Sequence, residues 1–224
     1  MICHPRVAPH ATEAALAACP FPTEPVHHPF VWPDSPAALV AGWYRRTDRH
    51  AAAPPAMPEL LQAAGEGFGP ADHPTTTLCL AAMDGLPFLP AVDVGCGSGL
   101  LAQAWARRRG QPVLAVDLDP AAVAHARRSA ALAGCSHLVE VRRQAVQTLA
   151  GSELDGRVVF ANLPAAAHRL LSDRFTEPPA AVVLSGIRPH EAHEVLLGYR
   201  RFGLRRIGAA SRGRFECHVL LGCA

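Results

Sequence analysis

Long apolar segments are missing from this 224-residue sequence. No stretch approaches the roughly 18–20 consecutive apolar residues that a membrane-spanning helix requires. The first 20 residues also lack the uninterrupted apolar core of a secretory signal, because Pro5, Pro9, His10 and Glu13 fall within them. These two absences predict a protein that neither enters nor crosses a membrane.

Cysteine pairs at metal-binding spacing are missing as well. The seven cysteines are scattered, odd in number and never arranged as CxxC, which disfavours a disulfide framework and a structural zinc site. His190-Glu191-Ala192-His193 is one residue too short for the HExxH zinc motif. We therefore expect no bound metal and a reducing, cytoplasmic location.

Lysine does not occur, since all 21 basic residues are arginine, and the formal net charge is only +2. With 6% aromatic residues, the chain lacks both the wide basic surface and the stacking residues that RNA recognition uses. Nucleic acid is therefore a disfavoured partner. The 50% hydrophobic and 18% charged residues are typical of a folded chain rather than a disordered one.

Proline and histidine are concentrated in the first 60 residues. We divide the chain into an N-terminal extension or lid at 1–56, a candidate for substrate recognition, and a second domain at 57–224. Within the extension, Ser35 as N-cap and Pro36 at the first helical position predict a helix over 37–44.

From residue 57 onward, apolar strands alternate with helices. The predicted strands are 91–94, 112–116, 138–142, 157–161, 180–184, 203–209 and 214–221, and the predicted helices are 74–83, 100–109, 120–132, 165–173 and 189–197. Such alternation predicts a parallel sheet with helices on both faces, and the last two strands, with no helix between them, predict an antiparallel hairpin. The expected fold is α/β: a doubly wound, seven-stranded, Rossmann-like sheet with a Pro/His-rich N-terminal extension.

A glycine-rich turn follows the first of these strands. The stretch AVDVGCGSGL at 91–100 places glycine at three alternate positions between a strand and a helix. Glycine there allows a sharp turn and lets a ligand approach the backbone closely. The dinucleotide fingerprint GxGxxG is not met, because Leu100 stands where its third glycine would be.

An acidic residue, Asp117, ends the next strand about 20 residues after this turn. A carboxylate at this separation can accept both ribose hydroxyls of an adenosine. Asp119 is better explained as a helix N-cap, and Asp93 either holds the loop or reaches a cationic end of the ligand. With these motifs, the chain resembles the class I S-adenosylmethionine-dependent methyltransferases.

Further segments are similar to a narrower family, the bacterial lysine methyltransferases of ribosomal large-subunit protein eleven. The resemblance covers about residues 66–222 and is carried by the HPTT segment at 73–76, by Asn162-Leu163 and by LSGI at 184–187. It implies S-adenosylmethionine as cofactor and an amine as methyl acceptor.

The chain departs from that family's pattern in two places. Pro70 and Ala71 replace the threonine and second glycine of a loop that closes over the cofactor in the family. Residues 1–60 do not resemble the family's substrate-capturing domain, so the resemblance does not fix the acceptor.

The acceptor site is predicted at Asn162-Leu163-Pro164, after the fourth strand, where a doubly wound sheet has its crevice. Methyl transfer requires a nucleophile held on the far side of the methyl group. The Asn162 side-chain carbonyl and the Leu163 backbone carbonyl can orient an amino group, and Pro164 offers no competing N–H. The alternative is that Asn162 only caps the following helix.

The start of the first helix supplies further candidates. His73 contacts the cofactor carboxylate, acts as a base, or only caps or packs at the start of the helix. Thr75 and Thr76 offer hydroxyl and N–H groups to the same carboxylate. Either Gln144 or Gln147 replaces the acidic residue that often contacts adenine in such enzymes.

The predicted function is transfer of a methyl group from S-adenosylmethionine to an amine on a protein. A small molecule or peptide natural product is the alternative acceptor. RNA methylation and non-catalytic cofactor binding are the remaining alternative functions. The predicted catalytic residues are His73, Asn162, Leu163 and Pro164. The predicted cofactor-binding residues are Asp93, Gly95, Cys96, Gly97, Gly99, Asp117, Leu118, Thr75, Thr76 and Asn162.

Overall fold

The computed structural model describes residues 38–47, 52–54, 57–63 and 73–222. The strands of this part are β1 (Ala38–Val40), β2 (Trp43–Thr47), β3 (Glu59–Gln62), β4 (Ala91–Val94), β5 (Val113–Asp117), β6 (Val139–Arg143), β7 (Val158–Asn162), β8 (Ala181–Ile187), β9 (Arg205–Arg212) and β10 (Phe215–Leu221). Its α-helices are α1 (Pro74–Ala81), α2 (Leu100–Arg109), α3 (Pro120–Leu132), α4 (Gly151–Leu154), α5 (Ala165–Ser172) and α6 (Pro189–Arg200).

Seven strands form the main sheet, in the order β6-β5-β4-β7-β8-β10-β9. Strands β4 to β8 run parallel to one another, whereas β10 is antiparallel to both β8 and β9. The predicted doubly wound sheet with a C-terminal hairpin is thereby confirmed. The predicted helices 100–109 and 120–132 match their bounds, and the short helix α4 was not predicted.

The order of the strands reverses between β4 and β7. From β4 the chain proceeds outward through β5 and β6, and then returns to place β7 on the other side of β4. At such a switch point the loops after two neighbouring strands diverge and leave a crevice at the carboxyl edge of the sheet. Asp93 pairs in register with Phe160, so the glycine turn and Asn162 emerge side by side.

Both faces of the sheet are covered by apolar side chains. One buried cluster packs helices α1, α2 and α3 against the sheet and includes Trp105 and Phe160, whose rings meet edge to face at 5.3 Å. The other packs α5 and α6 on the opposite face and includes Tyr199 and Phe175. Burial on both faces explains why the central strands are apolar throughout rather than alternating.

The predicted helix over 37–44 is wrong. Ala38–Val40 and Trp43–Thr47 instead form the antiparallel strands β1 and β2, and β2 pairs in parallel with β3. Ala41 and Gly42 make the intervening turn with φ of +47° and +79°, as the tight turns of antiparallel hairpins require. The pairing with β3 decides the conformation over local helix propensity. The pair also crosses the proposed domain boundary at 56/57.

A buried side chain, Gln103 of α2, joins the small sheet to the main fold. Its Oε1 accepts the Leu61 N–H at 2.7 Å and its Nε2 donates to the Leu61 carbonyl at 2.7 Å, as a neighbouring strand would. The Ala63 N–H also donates to Ser129 Oγ of α3 at 3.0 Å. Residues 57–63 are thus fixed to α2 and α3.

We expect Gln103→Ala to lower the free energy of unfolding by about 2–4 kcal/mol, because the buried N–H and carbonyl of Leu61 both lose their partner. Urea denaturation followed by circular dichroism measures the change. Gln147→Ala, at an exposed glutamine, is the matched control and should shift the value by less than about 0.5 kcal/mol. Equal changes in the free energy of unfolding for the two variants would contradict the role of Gln103 in holding residues 57–63 against α2.

Candidate active site

The glycine turn is held in place by backbone hydrogen bonds to the next strand. Gly95 and Gly97 have φ of +68° and +53°, a left-handed conformation in which other residues are strained. The N–H groups of Gly95 and Cys96 both donate to the Val116 carbonyl, at 2.8 and 2.9 Å. The turn therefore lies directly beside the end of β5, where Asp117 is found.

The Asp117 carboxylate links the turn to the following loop. Its Oδ2 accepts the Gly97 N–H at 2.8 Å and its Oδ1 accepts the Asp119 N–H at 2.9 Å. Each carboxylate oxygen has further acceptor capacity beyond one hydrogen bond. Asp119 caps α3 by accepting the Ala121 N–H at 2.8 Å, which confirms the predicted N-cap.

Asp93, at the end of β4, is only 1% exposed. Its Oδ2 accepts the Ala102 N–H at 3.0 Å, which ties the carboxylate to the first turn of α2. Burial raises the pKa of Asp93 to about 7, with the hydrogen bond from Ala102 opposing the shift and the Asp117 charge adding to it. A cation bound nearby would offset the cost of ionising this acid.

The glycine turn and Asp93 line an open cleft at the switch point. The residues lining it are Thr76, Asp93, Gly95, Cys96, Gly97, Ser98, Leu100, Leu101 and Asn162. Most of the predicted cofactor residues are thus brought together. The lining also contains Ser98, Leu100 and Leu101, which were not predicted. Their position next to the glycines of the turn is the signal that could have identified them. Burial raises the pKa of the Cys96 thiol, so this sulfur stays protonated.

Four predicted cofactor residues are not among those that line the cleft: Thr75, Gly99, Asp117 and Leu118. Gly99 packs against α3, where an added Cβ would stand 2.9 Å from the Ala126 Cβ, so the absence of a side chain serves helix packing. Leu118 lies next to Asp117 and is 66% exposed. Of the two candidate glutamines, Gln144 is the nearer to Asp117, because its N–H donates to the Asp117 carbonyl at 2.9 Å.

A chain of side-chain hydrogen bonds joins α1 to β7. The Asn162 Nδ2 donates to Thr75 Oγ1 at 3.0 Å, and Thr75 Oγ1 lies 2.7 Å from His73 Nδ1. His73 Nδ1 accepts the Thr75 N–H at 3.4 Å, so this nitrogen carries no proton and the Thr75 hydroxyl donates to it. We therefore assign the His73 proton to Nε2.

The structure excludes the interpretation of Asn162 as a helix cap. Its amide is used by Thr75, while the N-cap of α5 is Pro164, which makes no side-chain capping bond. Asn162 therefore does not cap α5. With Nδ2 engaged, its Oδ1 makes no hydrogen bond to the part of the chain that the structure describes.

Leu163 lies in close contact with two glycines. An added Cβ at Gly95 would overlap the Leu163 side chain, and one at Gly186 would stand 2.5 Å from the Leu163 carbonyl oxygen. The Leu163 N–H donates to the Ser185 carbonyl at 3.0 Å. The two glycines thus allow β4, β7 and β8 to converge on one peptide unit.

Pro70 and Ala71, at which the chain departs from the family's pattern, lie outside the described residues.

A family model described as ribosomal protein L11 methyltransferase (PrmA) matches residues 57–219. The chain belongs to the ribosomal protein L11 methyltransferase family. This membership confirms the predicted family resemblance, and S-adenosylmethionine is the methyl donor of such methyltransferases.

Curated ribosomal protein L11 methyltransferases share about a third of the aligned residues with this chain. The one from Geotalea daltonii is 33% identical over 169 residues, covering 68% of this chain and 53% of the relative. The one from Geobacter sulfurreducens is 37% identical over 161 residues, covering 69% and 52%. The chain therefore spans about half the length of the curated family members it matches.

A solved structure of the family has the same fold. The ribosomal protein L11 methylase from Lactobacillus delbrueckii subsp. bulgaricus matches with a TM-score of 0.67 and 20% identity, covering 84% of this chain and 98% of that one. In the present chain, no helix among the described residues has both the length and the hydrophobicity needed to span a bilayer.

The raised pKa of Asp93 predicts an unusual pH dependence of stability. The native state holds this proton up to about pH 7, whereas the unfolded chain releases it near pH 4. The native form therefore binds more protons in this window, and the contribution of Asp93 to the free energy of unfolding falls as pH rises, by about 4 kcal/mol at most.

Asp93→Asn cannot titrate, and its amide oxygen can still accept the Ala102 N–H. We expect the wild type to lose stability relative to Asp93→Asn as pH rises from 4 to 8, measured by urea denaturation at several pH values. A stability difference that does not change with pH would refute the assignment.

Proposed function

We propose that this chain transfers a methyl group from S-adenosylmethionine to an amine on a protein. The observation that supports this most directly is that the glycine turn and Asn162 line one switch-point cleft, while Asp117 is hydrogen-bonded to the turn at Gly97. Because the chain spans about half the length of its curated relatives, we propose both the activity and the acceptor.

The residues of the cleft fit the chemistry of this cofactor. Asp117 is placed to accept ribose hydroxyls, and the left-handed glycines expose backbone along the cleft. Asp93 supplies a buried carboxylate for the cationic end of the ligand, and Thr76 lies at the start of α1 for its carboxylate. When bound, S-adenosylmethionine supplies a methyl group activated by a sulfonium.

The acceptor amine is oriented by oxygen atoms of the Asn162-Leu163 turn. The Asn162 Oδ1 and the Leu163 carbonyl are both acceptors, so they bind the N–H groups of an amine and direct its lone pair away from themselves. Thr75 keeps the Asn162 amide in this orientation. His73, with its proton on Nε2, serves as a hydrogen-bond donor rather than as the base.

The ribosomal protein L11 named in the family's description is the first acceptor to test. The proposed extension at 1–56 lacks resemblance to the family's capture domain, so a different protein or a small molecule is the alternative acceptor. We further propose that the chain works in the cytoplasm, where the buried free thiols of Cys79, Cys96, Cys135 and Cys217 remain reduced.

We expect Asn162→Ala to lower kcat about 100-fold and to leave the Kd of S-adenosylhomocysteine within about 3-fold, because the amide holds the acceptor. Asp117→Ala should instead weaken S-adenosylhomocysteine binding by about 10-fold or more, because it removes a charged hydrogen-bond acceptor. Transfer of labelled methyl groups measures the first quantity, and isothermal titration calorimetry the second.

Asp173→Ala is the matched control for Asp117→Ala, because this exposed acid pairs with Arg201 instead of lining the cleft. It should change neither measurement. Unchanged turnover in Asn162→Ala would remove Asn162 from the proposed acceptor site, whereas cofactor binding without any methyl transfer by the wild type would argue for a non-catalytic cofactor-binding protein. Asn162 is the single asparagine of the sequence, so selective ¹⁵N-asparagine labelling gives one side-chain amide signal with which to follow the site.

The acceptor class is tested by incubating the chain with methyl-labelled S-adenosylmethionine and a lysate of the source organism. Label in one protein band supports the proposal, and mass spectrometry then identifies the methylated residue. Label in the small-molecule fraction or in RNA would replace the proposed acceptor with that class.

A further inference from the structure

A buried histidine lies directly behind the proposed acceptor site. His168 is on α5, whose N-cap is Pro164, and it is 0% exposed. Its Nδ1 lies 3.0 Å from the Tyr199 hydroxyl, and its Nε2 lies 2.9 Å from the Ser185 carbonyl. Tyr199 and Ser185 are fully buried as well.

The partners fix the protonation state of this imidazole. A carbonyl can only accept a hydrogen bond, so Nε2 carries the proton and donates to Ser185, while Nδ1 accepts from the Tyr199 hydroxyl. Burial lowers the pKa of His168 to about 4, with hydrogen bonds to the backbone of Ser185 and Leu163 opposing the shift. His168 is therefore neutral at physiological pH and acts as an uncharged hydrogen-bond donor.

The Ser185 carbonyl is the point at which the β7–β8 ladder ends. Asn162 pairs in register with Ser185, and the same carbonyl accepts the Leu163 N–H at 3.0 Å. The Ser185 hydroxyl donates to the Glu216 carbonyl at 2.7 Å, which ties β8 to β10. One carbonyl oxygen thus receives the peptide N–H of the acceptor turn and the imidazole N–H together.

We propose that His168 is a positioning residue for methyl transfer, which fixes the Leu163 peptide by holding the Ser185 carbonyl that anchors it. The orientation of this peptide sets the direction of the Leu163 carbonyl and the approach of the acceptor amine. The proposal rests on the proposed function of the same site. A displacement of about 1 Å at such a position can lower turnover about 100-fold.

Two amide variants separate donation to Ser185 from simple occupation of the core. Glutamine in place of His168 carries its amide nitrogen near the position of Nε2 and can still donate to Ser185. Asparagine is one methylene shorter, so its amide lies near the position of Nδ1, beside Tyr199 and out of reach of Ser185. Both variants keep a polar group in the cavity.

We expect His168→Asn to lower kcat for methyl transfer by at least about 10-fold and to leave the Kd of S-adenosylhomocysteine within about 3-fold. His168→Gln should restore kcat to within about 5-fold of wild type. The assay uses ribosomal protein L11 of the source organism, at a temperature where circular dichroism shows each variant folded. Equal kcat values for the two variants, or losses confined to thermal stability, would overturn the proposal.

Amide hydrogen exchange tests the positioning step without an acceptor. The Leu163 N–H should exchange at least about 10-fold faster in His168→Asn than in His168→Gln, while the Val159 N–H in the middle of β7 stays unchanged. Uniform acceleration along β7, or no change at Leu163, would overturn the proposal. A wild type that methylates nothing would refute the proposed function, and the exchange data would still decide whether His168 holds Leu163.

The wild-type protein provides a measurement that does not depend on folding of the variants. The ¹⁵N shifts of the His168 ring should show a proton on Nε2 and none on Nδ1, without change between pH 6 and pH 8. A proton on Nδ1, or titration in that interval, would refute the assigned hydrogen bonds.

Discussion

One peptide unit, at Leu163, determines the shape of the proposed site. Its N–H is anchored to the Ser185 carbonyl, and its carbonyl faces Gly186 at a distance that leaves no space for a Cβ. Its side chain lies against Gly95 of the turn after β4. Three neighbouring strands can therefore meet at their carboxyl edge only because glycine occupies two of the flanking positions. The cleft at the switch point follows from this close approach.

The charges of the site are arranged around the same point. Both carboxylate oxygens of Asp117 accept backbone N–H groups, whereas Asp93 is buried and has a raised pKa. An acid bound to the turn and a buried acid beside it suit a ligand with a polar sugar and a separate cationic group. The neutral His168 behind the turn adds directed hydrogen bonds without adding charge.

The sequence predicted those parts of the site that depend on local signals. The glycine turn, Asp117 and Asn162 each follow directly after an apolar strand, and the alternation of strands and helices fixed their common edge. The contact between Asn162 and Thr75 joins residues 87 positions apart, and no local pattern indicates it. The contacts of His168 with Tyr199 and Ser185 were not predicted for the same reason. The predicted helix over 37–44 failed because its conformation depends on pairing with β3.

The hydrogen bonds of Gln103 have a consequence for solubility. A strand at the border of a sheet exposes unpaired N–H and carbonyl groups, which can recruit a strand from another molecule. On β3, Gln103 occupies both backbone groups of Leu61 with a side chain that cannot continue the ladder. Helix α2 thus terminates the small sheet at the β3 edge and protects it against edge-to-edge association between molecules.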